Sequence, residues 1–234
     1  MSQSTPFLRA AASTALLLVA GWIAAAVPTP TAAQTVPPAT PEEEQKLLGL
    51  LESADASLKD KVAACRGLAA IGTKKSVPVL AGLLADKRLS HMARYALEPI
   101  DDPSVDQVLR EALGKVKGKP LAGVAASLGV RRDGQAVAAL AALLDHEDAD
   151  VAAAAARSLG KIATPEAAKA LTAKLAAARK NVRAAVAEGC LAAAEAMLAR
   201  GQRAEAAALF EAVAKAEVPK HFKVAAMQGV IQTR

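Results

Sequence analysis

The sequence of 234 residues predicts an all-α fold, in which helix pairs stack into a right-handed αα superhelix, or solenoid. One leucine recurs at intervals of 29, 31 and 31 residues: Leu68, Leu97, Leu128 and Leu159. A second leucine follows each of these twelve residues later: Leu80, Leu109, Leu140 and Leu171. A third lies four residues further on: Leu84, Leu113, Leu144 and Leu175. Since about thirty residues form one pair of short helices, each interval is one repeat. The low aromatic content of 2% and the abundant alanine favour stacked helices over a single large core.

The fourth repeat carries the clearest local signals. Residues 151–162 have the apolar spacing of a first helix, and residues 166–178 form a second helix with Leu171 and Leu175 on one face. Between them, Thr164 is the predicted N-cap and Pro165 takes the first helical position.

The other repeats follow the same plan with different turns. Residues 72–73 form the turn of the first repeat and residues 101–103 that of the second. In the third repeat Arg131 stands where the others have isoleucine, so we expect this repeat to be the loosest. Upstream, Leu47 and Leu51 have the spacing of a second helix, and they predict a half repeat that caps the stack.

The small residues set how closely the helices approach. Alanines in 152–156 and in 138–142 are expected to bring backbones together, while the leucines fill the seam between layers. Burying one such leucine contributes roughly 1.5–3 kcal/mol, and its truncation to alanine costs roughly 2–5 kcal/mol. We therefore assign these residues to the framework of the fold.

The repeats resemble HEAT repeats, specifically the short class known from phycobilisome lyases. The unit of that class begins with a hydrophobic residue and small residues, continues as A-L-G-x-I, and ends with a turn and A-V-x-x-L. This chain matches it at 156–162 with 167–171, at 67–72 with 77–80, and at 96–97 with 100–103. The resemblance covers residues 42–180 and implies the solenoid fold. That family includes scaffolds, adaptors and a few lyases, so the resemblance does not fix an activity.

Beyond residue 180 the period changes, and we assign 181–234 to an elongated helix pair plus the start of a further, incomplete repeat. Residues 186–198 and 204–216 form the pair around a turn at 200–202. The spacing of Gly201, Ala206, Phe210 and Pro219 resembles one tetratricopeptide unit. Residues 224–233 begin another first helix with Val230 as its central apolar residue, and we expect the natural protein to continue past Arg234.

The N-terminus has the layout of a secretory signal peptide over residues 1–33. Arg9 precedes an apolar stretch at 10–27, and the small residues at 31–33 predict cleavage after Ala33. The alternative is an uncleaved membrane anchor, because 18 helical residues span about 27 Å. Residues 34–41 form a disordered linker rich in Pro, Thr and Ala. The predicted localisation is periplasmic or secreted, with membrane contact only through an uncleaved N-terminal segment.

Cysteine and histidine positions argue against a disulfide or a metal site. Cys65 and Cys190 lie about four repeats apart, whereas a disulfide needs Cα atoms within about 7 Å. We therefore expect two buried free thiols. His91, His146 and His221 are scattered, and none lies at ligand spacing from a cysteine.

No catalytic or cofactor-binding residue is predicted, because the sequence has no nucleophile elbow and no phosphate-binding glycine loop. The most concentrated polar cluster, residues 145–148, is interpreted as a solvated turn with Asp148 or Asp150 near the next helix start. The formal net charge is +6, but the cations are interrupted by acids and Trp22, in the signal peptide, is the only tryptophan. Nucleic acid is therefore not an expected partner.

Three functions remain, one favoured and two alternatives. The favoured one is an exported, non-catalytic scaffold that binds a protein or peptide partner of the cell envelope. The alternatives are a lyase or cofactor-handling protein of the bilin-lyase type, and a repeat module of a larger enzyme. A groove is expected on the second helices, lined by small and bland side chains: Pro78, Gly82, Gln107, Glu111, Ala138, Ala142, Lys169 and Ala173.

Overall fold

The computed structural model describes residues 40–234, and in that range it contains twelve α-helices and no strand. The predicted signal peptide and nearly all of the predicted linker lie outside the described residues. The helices are α1 (Pro41–Glu52), α2 (Leu58–Ile71), α3 (Val77–Gly82), α4 (Ser90–Leu97), α5 (Pro103–Leu113), α6 (Lys119–Val130), α7 (Val137–Leu143), α8 (Ala149–Ile162), α9 (Pro165–Ala177), α10 (Lys180–Ala199), α11 (Arg203–Lys215) and α12 (Lys220–Thr233). None of them is long and apolar enough to span a bilayer.

The helices form two rows. The even-numbered helices, from α2 to α12, contact one another in succession and make the first row. The odd-numbered helices, from α1 to α11, lie alongside and make the second row, and each pairs with its neighbours in the first. This arrangement is the predicted all-α solenoid of stacked helix pairs.

The leucine repeat forms the core between the rows. All four first leucines and all four second leucines are fully buried. Of the third leucines, Leu84, Leu144 and Leu175 are buried, but Leu113 is only half-buried. Helix α5 ends at Leu113, and Val116 in the following turn takes the buried position instead.

The predicted helix caps are present. The Thr164 side chain accepts a hydrogen bond from the Ala167 N–H at 3.2 Å, with Pro165 at the first helical position. Asp102 and Asp148 cap α5 and α8 in the same way, at 2.9 Å each. Side-chain oxygens at these positions satisfy N–H groups that have no partner within the helix.

The capping half repeat is built differently from the expectation. The buried residues of α1 are Glu44, Leu48 and Leu51, while Leu47 is half-buried. The Glu44 carboxylate accepts hydrogen bonds from the Thr73 N–H at 2.8 Å and from the Ser76 hydroxyl at 2.6 Å. Burial raises the pKa of Glu44, but these hydrogen bonds and the charge of Lys75 outweigh it and lower the pKa from its ordinary value. Glu44 therefore ties α1 to the turn before α3.

The expectation that Arg131 loosens the third repeat is wrong. Its guanidinium donates to the carbonyl oxygens of Glu98 at 2.9 Å and Ile100 at 2.8 Å, and it pairs with the Asp106 carboxylate. Only 12% of the Arg131 side chain is exposed. The arginine therefore binds the end of the preceding first-row helix to the third repeat, where a shorter apolar side chain would make no hydrogen bond.

The first row is held together by backbone contact. A Cβ atom added to Gly129 would lie 2.7 Å from the Ser158 Cα, and one added to Gly160 would lie 2.6 Å from the Gly189 carbonyl oxygen. The predicted role of the alanines in 152–156 is confirmed, since Ala152, Ala154, Ala155 and Ala156 are all buried. Helices α6, α8 and α10 thus lie at close range because their facing residues are small.

The second row is more widely spaced. Grooves of about 370–450 Å³ separate α3 from α5, α7 from α9, and α9 from α11. Ala138 and Ala142 face solvent, so the expectation that they bring backbones together is wrong. A stack curves toward its more closely spaced row. From this difference in spacing we infer that the inner face belongs to the first row, whereas the sequence suggested a groove on the second helices.

The C-terminal helices continue the same stack. Helix α10 has 20 residues, and the turn to α11 passes through Gly201 with φ 79°. In α12 the buried residues are Ala226 and Gly229, while Val230 is only half-buried. Gly229 occupies the contact because a side chain there would collide with the Phe210 ring. The predicted central role of Val230 is therefore wrong.

Candidate interaction surface

Each first-row helix exposes one narrow stripe along the inner face. In α8 nearly every side chain is buried, and the exposed ones are Asp150, Arg157 and Lys161. Their spacing of seven and four residues places them on one side of the helix. The corresponding stripe of α2 carries Lys59 and Arg66. We call the set of these stripes, on α2, α4, α6, α8, α10 and α12, the inner face.

Equivalent stripe positions of adjacent helices are in register. Arg157 of α8 and Glu188 of α10 are 31 residues apart and form an ion pair with an N–O distance of 3.5 Å. Both lie two residues before the central apolar residue of their helix. By the same register, Arg66 of α2, Tyr95 of α4 and Ala126 of α6 form one continuous line across the face.

The exposed large hydrophobic side chains all lie on first-row helices, and three of them lie on the terminal helix α12. Within residues 40–234 there are six, and every one belongs to a first-row helix: Leu58 (40% exposed), Tyr95 (51%), Val130 (49%), Val224 (44%), Met227 (55%) and Ile231 (70%). In the described chain the second row exposes none. Because water disfavours exposed apolar surface, such an uneven distribution marks a surface used in contacts.

Beneath Tyr95, a polar network joins α4 to α6. The Arg94 guanidinium donates to the Gly123 carbonyl oxygen at 3.1 Å and to the Ser127 hydroxyl at 3.3 Å, and Ser127 donates to the Glu98 carboxylate at 2.7 Å. Burial lowers the pKa of Arg94, and the nearby Glu98 charge opposes that shift. Gly123 has no side chain, which leaves room for the guanidinium. This network fixes the orientation of α4, and with it the position of Tyr95.

The family of the repeats follows from their sequence. Residues 119–192 match a profile described as HEAT repeats, and these residues form α6 to α10 of the stack. Residues 119–192 are HEAT repeats. No curated protein matches the chain at a significant level.

The chain also aligns with solved structures. An engineered protein aligns with a TM-score of 0.51 and 22% identity over 83% of this chain and 97% of its own. The complex of CpcE and CpcF of phycocyanin lyase from Nostoc sp. PCC7120 gives a TM-score of 0.42 and 23% identity over 82% and 75% of the two chains. A designed armadillo repeat protein in complex with a (KR)4 peptide gives 0.49 and 17% over 82% and 100%. The first alignment shows the fold alone.

The inner face carries cations that have no ion-pair partner among the described residues. Lys59, Arg66, Lys119 and Lys161 are all exposed. They lie on α2, α6 and α8, on either side of Tyr95 and Val130. Of the carboxylates of the face, Asp150 lies on α8, and Glu188 and Glu195 lie further along on α10.

The polar cluster at residues 145–148 is a turn between HEAT repeats, as predicted. Asp148 caps α8, and the His146 ring accepts a hydrogen bond from the Asp148 N–H at 3.1 Å. Asp145 pairs with Lys174, and Arg179 donates to the Glu147 carbonyl oxygen at 3.1 Å. These hydrogen bonds and the ion pair occupy the polar groups of the turn and join adjacent repeats.

The cysteines are free and buried, as predicted. Burial raises the pKa of the Cys65 thiol to about 11 and that of Cys190 to about 12. Within residues 40–234, no three or more His, Cys, Asp or Glu residues lie close enough to hold a metal ion. Sequence reasoning missed Tyr95, although its exposure could have been suspected from its place two residues before Leu97.

Proposed function

We propose that this protein is an exported, non-catalytic HEAT-repeat scaffold that binds a protein or peptide partner on its inner face. The observation that carries the proposal is the confinement of exposed large hydrophobic residues to first-row helices. Solenoids use their extended inner surfaces for binding, and aromatic side chains such as Tyr95 contribute strongly to interfaces.

The non-catalytic part of the proposal is supported by the chemistry of the described side chains. Besides alanine, arginine, lysine and apolar residues, the inner face carries the acids Asp150, Glu188 and Glu195, which are spread along two helices, and Glu188 is already paired with Arg157. Catalysis needs an acid or a nucleophile positioned beside its partners. The two thiols are buried and their pKa values are raised, so neither is available as a nucleophile.

Site-specific photocrosslinking tests the binding face. A photoreactive phenylalanine analogue placed at Tyr95 is expected to yield a discrete adduct in cell-envelope extract, and the adduct should be lost when an excess of unlabelled protein competes. The matched control places the same group at Ala138, which is exposed on the second-row helix α7. Equal adducts at both positions, or none at either, would contradict the proposal.

Export is supported by the sequence of residues 1–33, which lie outside the described residues. Mass spectrometry of the protein recovered from its native cell tests it. A mature chain that starts at Gln34 is expected. A chain that keeps residues 1–33 and fractionates with membranes would favour the anchor instead, and one that keeps them in the soluble cytoplasmic fraction would overturn export.

A further inference from the structure

We infer that the partner segment is acidic and extended, and that it crosses the inner face from α2 to α8 with an apolar side chain against Tyr95 and Val130. This inference rests on the proposed function, because it names the chemistry of the partner for the same face. It is carried by three features of the described residues: charge, apolar contact area and length.

The charge of this part of the face is positive. Arg66 on α2 and Lys161 on α8 stand at its two ends, and Lys119 lies on the intervening helix α6, level with Lys59 and Asp150 and about 10 Å along the helix axis from the line of Arg66. Arg66, Lys119 and Lys161 have no ion-pair partner among the described residues. Arg157 is already paired with Glu188, and Asp60 already accepts a hydrogen bond from the Ser57 hydroxyl at 2.7 Å. Asp150 of α8 also lies on this part of the face, and the exposed unpaired cations outnumber it. A partner with carboxylates at both ends would complement the unpaired cations.

The apolar contact lies between these charges. Tyr95 and Val130 are about half exposed, at 51% and 49%. Beside Tyr95, by register, α6 presents the small residue Ala126, one turn before Val130. A small side chain there leaves room for an aliphatic group of the partner beside the tyrosine ring. That contact would remove apolar surface from water on both molecules. The network of Arg94, Ser127 and Glu98 holds this part of the face in place without using the exposed cations.

The length of the inferred partner segment follows from the spacing of the first-row helices. Three intervals separate α2 from α8, and helices pack 8–10 Å apart, so the distance is about 30 Å at most. An extended chain covers that distance with about nine residues. The inferred segment therefore has acidic residues near both ends and an apolar residue near its middle.

A peptide-display selection against the full chain tests this inference. The library holds unbiased twelve-residue sequences, and selected peptides are then synthesised with a fluorophore for anisotropy titrations. The variant Arg66→Glu/Lys161→Glu reverses the charge of the inner face. The control variant Lys117→Glu/Lys169→Glu makes the same change in net charge at exposed positions outside it.

We expect enrichment of peptides with acidic residues flanking an apolar one. Their affinity should fall about tenfold or more in the inner-face variant, fall about as much in Tyr95→Ala, and change little in the control variant. Circular dichroism of each variant shows whether it is folded. Should a variant not fold, Arg66→Gln and Lys161→Gln, tested singly, replace it, each with a smaller expected loss.

The outcomes separate the inference from the proposed function. Neutral or basic peptides that bind with an affinity sensitive to Tyr95→Ala would overturn the acidic partner and leave the binding face intact. Acidic peptides that bind all variants equally would show non-specific attraction and also overturn the inference. Enrichment of no peptide, together with no photocrosslink at Tyr95, would overturn both.

Discussion

Gly160 of α8 and Gly189 of α10 face each other so closely that a Cβ atom on Gly160 would lie 2.6 Å from the Gly189 carbonyl oxygen and 2.8 Å from its Cα. The contact is between backbones, so no flexible side chain could move aside. This pair sets the spacing of the first row, and the spacing in turn determines which face of the stack is the inner one.

Gly160→Ala is therefore expected to destabilise the fold by about 1–3 kcal/mol, since the added methyl group must push two helices apart. Gly49→Ala is the matched control, because Gly49 lies inside α1 and a Cβ there meets nothing within 4 Å. Alanine at that position should be neutral or stabilising by up to about 1 kcal/mol. Urea denaturation followed by circular dichroism measures both. Similar stability of the two variants would mean that the close approach is not present in solution.

Replacement of Arg131 tests whether it fastens the third repeat. Arg131→Ile restores the residue type found in the other repeats, yet it removes the arginine donor from the Glu98 carbonyl oxygen and the Asp106 carboxylate, and it leaves the Ile100 carbonyl oxygen only the Asp102 N–H. We expect a loss of about 1–3 kcal/mol in the free energy of unfolding. Arg157→Ala removes an exposed ion pair and should cost less than about 1 kcal/mol. A more stable Arg131→Ile protein would contradict the structural role assigned here.

The Glu44 carboxylate predicts a specific acid sensitivity. Its folded-state pKa lies below the ordinary value of 4.5. A depressed carboxylate pKa contributes stability that is fully present above the unfolded-state pKa and is lost as the pH falls through the folded-state pKa. Glu44→Gln should therefore be less stable at neutral pH, by about 1–3 kcal/mol, and should lose less further stability on acidification.

Glu42→Gln serves as the control for Glu44, because it removes an exposed acid from the same first turn of α1. Thermal denaturation between pH 7 and pH 3 gives the comparison. If both variants lose stability in parallel with the unmodified protein across this range, protonation of the Glu44 carboxylate does not determine the loss of stability at low pH.

The cysteines provide a test of core packing. With pKa values raised to about 11 and about 12, Cys65 and Cys190 should be alkylated at pH 8 more than about a hundredfold more slowly than an unfolded thiol. Iodoacetamide treatment followed by intact mass measures the modification. We expect no addition to the native protein and two additions in urea. A disulfide, or rapid modification of either thiol in the native state, would contradict the buried free thiols.

The features that the sequence predicted are those with local or strictly periodic causes. The leucine spacing identified the buried residues, and Thr164 and Pro165 identified a helix start, because burial and capping depend on neighbours a few residues away. The same periodicity placed the repeats in a stack, since a short helix pair cannot bury its apolar stripe alone.

The features that the sequence did not predict depend on contacts between repeats. Arg131 looked like a defect, because its acceptors lie 25–33 residues away along the chain. Glu44 looked like an ordinary acidic residue of a first turn, although its donors are 29 and 32 residues away. Both helices of a pair have the same apolar periodicity, so the sequence does not indicate which row forms the inner face. The rows are distinguished by contacts between repeats, such as the close approaches of Gly160 to Gly189 and of Gly129 to Ser158.

The most direct test of the inner face is chemical-shift mapping with a selected peptide bound to the nitrogen-15-labelled protein. The account predicts that the backbone amide shifts change along first-row stripes, around Arg66, Tyr95, Val130 and Lys161. Changes centred instead on the grooves between α7 and α9, with the first-row amides unaffected, would contradict it.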